Sequence, residues 1–329
     1  MNSMLTIDET ARLIESGASL SIAGNEAALD ALPQGEWIGG TTAYAMLAEG
    51  GTALGNDHVF VTTLSSLGDV RLTTIAVDGL ASITGDAPEN GFTVIIIPAG
   101  SEIHAKYAVD ATQSPDAFVK PTVGWISGTS SDRAGTASAK VYDGRIQQKY
   151  EDRAVVAQVT LPAHKLANIE ILNIFEPDGG DILTFPEISF EVHHCNVNGE
   201  RTDLASYLKW RGAADGHLPL IGDFSGAKLN VSIQRCDGDK QGVQLYAPVY
   251  PGVDYCLAKP VENYTSAFLE KASSLTTQSD WSCNCILNFN FGSLEGRSIG
   301  GHAGPVTFGE IAYQLLNQTL VLLTVVDIS

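Results

Sequence analysis

The chain has 329 residues, 44% of them hydrophobic and 17% charged, with 38 acidic residues against 19 Lys plus Arg for a net charge of −19. That mixture excludes a disordered polymer, and so acidic a surface repels phosphate backbones and anionic headgroups, which argues against nucleic acid and membrane partners. No apolar run reaches the ~18 residues needed to span a bilayer, and the N-terminus lacks the basic and apolar regions of a secretory leader, so the cytoplasm is the expected compartment. Five cysteines, an odd number scattered through the chain, suit reduced thiols better than a disulfide framework.

Residues 7 to 16 place acidic residues early and apolar residues at helical spacing, with Gly17 as a stop, and predict a first helix. Leu20 to Ala23 reads as a strand. Trp37 to Thr42 reads as a strand entering a glycine turn, and Ala43 to Ala48 as a helix closed by Gly50 and Gly51. Three β-rich runs follow at His58 to Leu64, Val70 to Ala76 and Phe92 to Pro98, then strands at Thr122 to Ser127, Ala137 to Tyr142 and Ala154 to Leu161, with Asp143 and Gly144 as a hairpin turn. Ser127 to Thr136 is a loop of small polar residues, either a lid or a linker. The densest Pro, Gly and Asp cluster, residues 175 to 187, predicts a boundary between two units, 1–180 and 181–329. Beyond it come a strand at Ile188 to His194, a helix at Asp203 to Trp210, strands around Leu229 to Gln234 and Val243 to Tyr246, a helix at Val261 to Ser273, a strand at Ser282 to Asn288, a helix opened by Thr307 to Glu310, and a final strand at Leu320 to Val326. The fold class is α+β: two mixed halves with largely antiparallel or mixed sheets flanked by helices. A loose echo links Gly40 to Leu47 and the following Val59 to Thr63 with Phe308 to Leu316 and Leu320 to Thr324, by duplication or by chance.

Four segments invite chemistry. Gly39, Gly40, Thr41 and Thr42 ahead of a helix would offer backbone N–H groups and two hydroxyls to an anion, or form a purely structural capped turn. In Ser282-Cys283-Asn284-Cys285 the two thiols share a face of a strand, as buried apolar groups or as a functional pair. His193 and Cys195 likewise share a face, for a metal or haem or for plain surface hydrogen bonding. Thr307 and Glu310 match a capping box, and Glu310 beside Gly309 would equally hold a cationic group of a ligand. No nucleophile elbow, HExxH, P-loop or paired-carboxylate pattern is present.

Taken together, these stretches resemble the FIST family, the two-part sensory module of bacterial signalling proteins. Ile38 to Tyr44 and His58 to Leu64 are similar to its N-terminal part, Val197 to Leu208 to the hairpin and helix that open its C-terminal part, Ser282-Cys283 to its Ser-Cys, and Gly309-Glu310-Ile311 with Asn317 to Thr319 to its terminal signature. Where the family carries Gly-Cys in its first turn this chain has Gly39-Gly40, the mark of a divergent member. The resemblance implies a sensory protein that binds a small metabolite, amino-acid-like or other, between its halves, with haem known in some members and the cofactor here unspecified. Its expected binding residues are Gly39, Gly40, Thr41, Thr42, Tyr44, Ser282, Cys283, Asn284, Cys285, Gly309, Glu310 and Asn317. Because the two halves fill the chain, signalling is expected to pass through a partner protein. Two alternatives stand beside it: an enzyme using Cys283 or Cys285 as nucleophile with His302 or Glu310 as base, and a haem or metal sensor using His193, Cys195 or His302.

Overall fold

A computed structural model describes residues 2–113, 116–129, 137–236, 242–275 and 278–328, and the loop expected at Ser127 to Thr136 lies for the most part outside them. The first helix runs Ile7–Glu15 and is closed at its start by a capping box: Thr6 Oγ1 accepts from the Glu9 N–H at 3.2 Å while the Glu9 carboxylate accepts from the Thr6 N–H at 2.9 Å. Gly17, at φ +82, ends it.

Three units repeat one order of elements: an edge strand, a helix, a strand, a second helix, a strand, a hairpin and a closing strand. In the first unit these strands are Asn2–Thr6, Leu20–Gly24, Trp37–Thr41, the hairpin Tyr44–Met46 with Gly51–Ala53, and His58–Thr63. In the second they are Asp69–Ile75, Gly91–Pro98, Thr122–Ser127, the hairpin Val141–Asp143 with Gln148–Tyr150, and Ala154–Thr160. In the third they are Lys165–Leu172, Trp281–Cys285, Gly304–Thr307, the hairpin Glu310–Ala312 with Gln314–Leu316, and Leu320–Asp327. Pairing within each unit is the same. The two strands joined by the second helix run parallel, and the closing strand runs antiparallel to the first of them and to the edge strand.

The hairpins do not pair within their own unit. That of the first joins the sheet of the third (Ala45 opposite Pro305), that of the second joins the first (Val141 opposite Gly40), and that of the third joins the second (Glu310 opposite Trp125). The exchange closes a ring of three six-stranded sheets. Their inner faces meet in one apolar core that includes Phe60, Ile96, Trp125, Trp281 and Leu323. Each outer face is covered by its own helices, Leu29 over Ile22, Ile103 with Ile95, and Phe268 with Leu322. The echo between residues 40–63 and 308–324 thus falls on hairpins and closing strands in equivalent places.

Residues 173–263 enter between the edge strand and first helix of the third unit. They build two further sheets and the helix Leu204–Arg211 around a separate core with Leu183, Leu208, Leu220 and Tyr255. Pro177 bridges Ala258, so the insertion leaves and returns at one place. The α+β class stands, but a division at residue 180 does not describe the hydrogen bonding, because strands from both sides of it share sheets. No helix of the described residues is long and apolar enough to cross a membrane.

Two predicted helices are hairpins. Ala43 to Ala48 and the run after Thr307 each have helix-forming composition, yet both supply edge strands to a neighbouring sheet, and that pairing overrides a weak local propensity. Tyr313, at φ +63, makes the second turn. The strand expected to reach Asn288 stops at Cys285 and continues as the helix Ile286–Phe291. A helix that the sequence reading passed over, Glu102–Asp110, is capped by Ser101 Oγ on the His104 N–H at 3.2 Å.

Candidate functional site

Gly39, Gly40 and Thr41 lie inside a strand, with no helix after them, so the expected anion receptor of free N–H groups is not formed. The Thr41 N–H donates to Lys140 O and the Thr42 N–H to Gly24 O, while Thr41 Oγ1 accepts from the Lys140 N–H and the Thr42 hydroxyl donates to Val306 O. The glycines serve packing: a Cβ on Gly40 would stand 2.7 Å from both Ile96 Cγ2 and Trp125 Cη2, where the inner faces of two sheets meet. Tyr44 stacks on Phe289 at 4.8 Å.

The segments predicted to converge do so, as a buried seam. Ser282 Oγ donates to Ala303 O, Asn284 Oδ1 accepts from Asn288 Nδ2, Gly309 O accepts from the Ile126 N–H, and Asn317 approaches the inserted unit through Asn230 Nδ2, which donates to its carbonyl at 3.1 Å. Ser282, Asn284, Gly309 and Asn317 line neither of the two cavities described below.

Glu310, fully buried, is the centre of this seam. The Thr319 N–H and hydroxyl donate to its Oε2 at 3.2 and 2.9 Å, and Thr307 Oγ1 lies 3.3 Å from its Oε1. Thr307 and Glu310 thus meet side chain to side chain, with neither backbone bond of a capping box and no helix after them. Burial pushes the Glu310 carboxyl up to about 8, against the opposing hydrogen bonds from Thr319, Cys285 and Thr307. At pH 7 it is mostly the neutral acid. Its Oε1–H then donates to Thr307 Oγ1, whose own proton goes to Asn284 O at 3.3 Å.

Cys283 and Cys285 lie beside Glu310, at 0% and 2% exposure. Burial drives both thiols well above their ordinary value, and the neighbouring carboxyl adds to it. A nucleophile needs thiolate and access, and this pair has neither. His302 is bonded to Ser279 Oγ at 3.3 Å, and burial lowers its pKa. In the native protein at neutral pH, iodoacetamide is expected to leave Cys195, Cys283 and Cys285 unmodified, whereas all five cysteines react after denaturation; peptide mapping of the alkylated chain reads this directly. For a metal, His193 sits exposed 3.5 Å from Glu191 while Cys195 is buried in the inserted core. Among the described residues no three His, Cys, Asp or Glu side chains come close enough to hold an ion.

The concavity with open chemistry lies elsewhere. A cavity of about 320 Å³ sits at the carboxyl ends of the parallel strands Gly91–Pro98 and Thr122–Ser127, where such sheets form crevices. Its walls are the turn Ala99 to Ser101, His104 in the first turn of the helix, Phe190, Gln234 and Tyr246 of the inserted unit, and Phe308. The Gly100 N–H donates to His104 Nδ1 at 3.3 Å, so the proton of the neutral ring is on Nε2, and that atom is buried without a partner. Burial lowers the His104 pKa to about 4, which keeps the ring neutral. The Tyr246 hydroxyl has no hydrogen-bond partner among the described residues, and burial, with Cys285 nearby, raises it to about 12. Among the described residues no lining side chain is charged. Sequence reading missed these residues because His104 and Tyr246 are far apart in the chain and belong to no motif. The one local signal was Ser101 as a helix start.

A family model described as "Family of unknown function (DUF6976)" matches residues 5–326, and the chain belongs to that family. No curated protein and no solved structure matches it.

Proposed function

We propose that this member of the family is a small-molecule receptor of the sensory type, holding an amino-acid-like metabolite between the second unit and the inserted unit. The observation that carries the reading is the pair of uncommitted polar groups, His104 Nε2–H and the Tyr246 hydroxyl, on one cavity at a helix start. A carboxylate there gains from the positive end of the helix Glu102–Asp110 and takes the hydrogen bond that His104 lacks. The amide oxygens of Gln234 and Gln244 offer acceptors for an ammonium group. Walls from Phe190, Leu245 and Phe308 suit a short apolar side chain, and the volume fits a single metabolite. The sensory role rests on the FIST-like segments, and the output then passes to a partner protein.

Native mass spectrometry of freshly purified protein, followed by a thermal-shift panel of the twenty amino acids and their keto acids, tests the reading. At least one is expected to raise the melting temperature, and His104→Leu is expected to weaken its binding about tenfold or more at little cost to the free protein, since Nε2–H is unpaired and the Gly100 N–H that loses Nδ1 is exposed to water. No shift from any member of the panel, or an unchanged affinity in the His104→Leu protein, would sink it.

A further inference from the structure

The same helix borders a second, larger cavity on its other flank, about 460 Å³, between it and residues 77–84. Leu80, Ile83 and Ala117 give it apolar walls, and Thr122 and Tyr313 lie at one end. Tyr107 projects from the helix into this space. Its side chain is only 5% exposed, and its hydroxyl has no hydrogen-bond partner among the described residues. A phenol that lines a cavity and makes no bond to the described residues is free to donate to an occupant. Burial also raises the Tyr107 pKa, so the group is a neutral phenol that donates one hydrogen bond.

The charges near the opening set the class of occupant. Lys106 is tied to Asp110 one helical turn on, so its charge is answered within the protein, and Asp78 places a carboxylate on the lining. A cavity with no spare cation, in a protein of net charge −19, repels anions. We propose that this cavity is a second binding site, for a neutral ring compound that carries one carbonyl or hydroxyl oxygen and accepts its hydrogen bond from Tyr107. The apolar walls take the ring, and the phenol fixes which end of the molecule enters. The site is independent of the metabolite cavity, since the two are lined by different residues of the helix, Lys106, Tyr107 and Asp110 here against His104 and Ala105 there.

Acetophenone and toluene, alike in ring but different in oxygen, are suitable probes in ligand-observed NMR titrations of the full chain. Acetophenone is expected to bind the wild type more tightly than toluene. Tyr107→Phe, which removes only the unpaired hydroxyl and should leave the melting temperature equal or higher, is expected to weaken acetophenone about five- to tenfold and leave toluene unchanged. Ala81→Trp, at an exposed lining position, is expected to abolish binding of both. His104→Leu is expected to change neither. Absence of acetophenone binding at millimolar concentration, equal affinity of the Tyr107→Phe protein, or binding that survives Ala81→Trp would each overturn the assignment.

Discussion

Replacing Glu310 by glutamine is expected to abolish most of the loss of stability that the protein suffers between pH 5 and pH 8. The Glu310 carboxyl is held near 8 in the folded chain by burial, against an ordinary value of 4.5. The unfolded chain therefore gives up this proton at a lower pH than the native protein does. Stability from this group is complete below about 4.5, falls as pH rises to about 8, and is flat beyond, a span on the order of 5 kcal/mol. Glutamine has no proton to lose, and its amide keeps both sets of partners, accepting from Thr319 and donating to Thr307. The Glu310→Gln protein should match the wild type at pH 5 and melt above it at pH 8.5. His104 acts in the opposite sense. Burial lowers it to about 4, so its contribution is present above about 6.5 and is lost as pH falls toward 4. Urea melts from pH 6.5 to 8.5 thus isolate Glu310. Glu310→Ala, which leaves the Thr319 N–H and hydroxyl unpaired around a cavity, should cost about 3 to 5 kcal/mol at pH 6.5. Parallel curves for the wild type and Glu310→Gln across that range would mean that the carboxyl is ionised in the native state, and the neutral-acid account of the seam would fail.

What the sequence conveyed follows from where its information is local. Thr6 and Glu9, the continuous apolar run Gly91–Pro98 and the closing strand Leu320–Asp327 carry their structure in neighbouring residues, and each is legible. The hairpins at Tyr44–Ala53 and Glu310–Leu316 were misread because nothing in their own residues reports the sheet that receives them. The ring of three units was visible only as a faint echo between residues 40–63 and 308–324, since the insertion at 173–263 breaks the period and the inner faces share shape more than residue type. At the site, the convergence of Thr42, Cys283 and Glu310 was anticipated while its character was not. In the sequence their polarity points to a ligand, and in the fold these groups satisfy one another. The helix Glu102–Asp110 is hard to read because its core-facing stripe is only Ile103, Tyr107 and Ala108, too short a run to set a period in the sequence.

The exchange of hairpins makes the largest prediction. Residues 1–180 expressed alone are expected not to fold cooperatively, a loss of the whole stability of about 5 to 15 kcal/mol usual for a domain. The fragment lacks the hairpin Glu310–Leu316, so the strand Thr122–Ser127 is left as an open edge. The hairpin Tyr44–Ala53 loses the sheet it completes, and Lys165–Leu172 loses the one strand it pairs with among the described residues, Leu320–Asp327. The inner core loses Trp281, Cys283, Val321 and Leu323 together, a wound across one side of the ring. Excising the insertion should do far less. Pro177 and Ala258 are bridged neighbours, so residues 178–257 can be replaced by a short Gly-Ser linker without stretching the chain. That variant leaves Asn317 and Gln318 without Asn230 and Ser232 but keeps all three sheets of the ring, and is expected to melt cooperatively at a lower temperature. Near-UV circular dichroism and urea unfolding distinguish the two. A monomeric 1–180 fragment with a sharp transition and native aromatic signal would show that the first two units stand without the third, and the ring would then be a packing of separable parts.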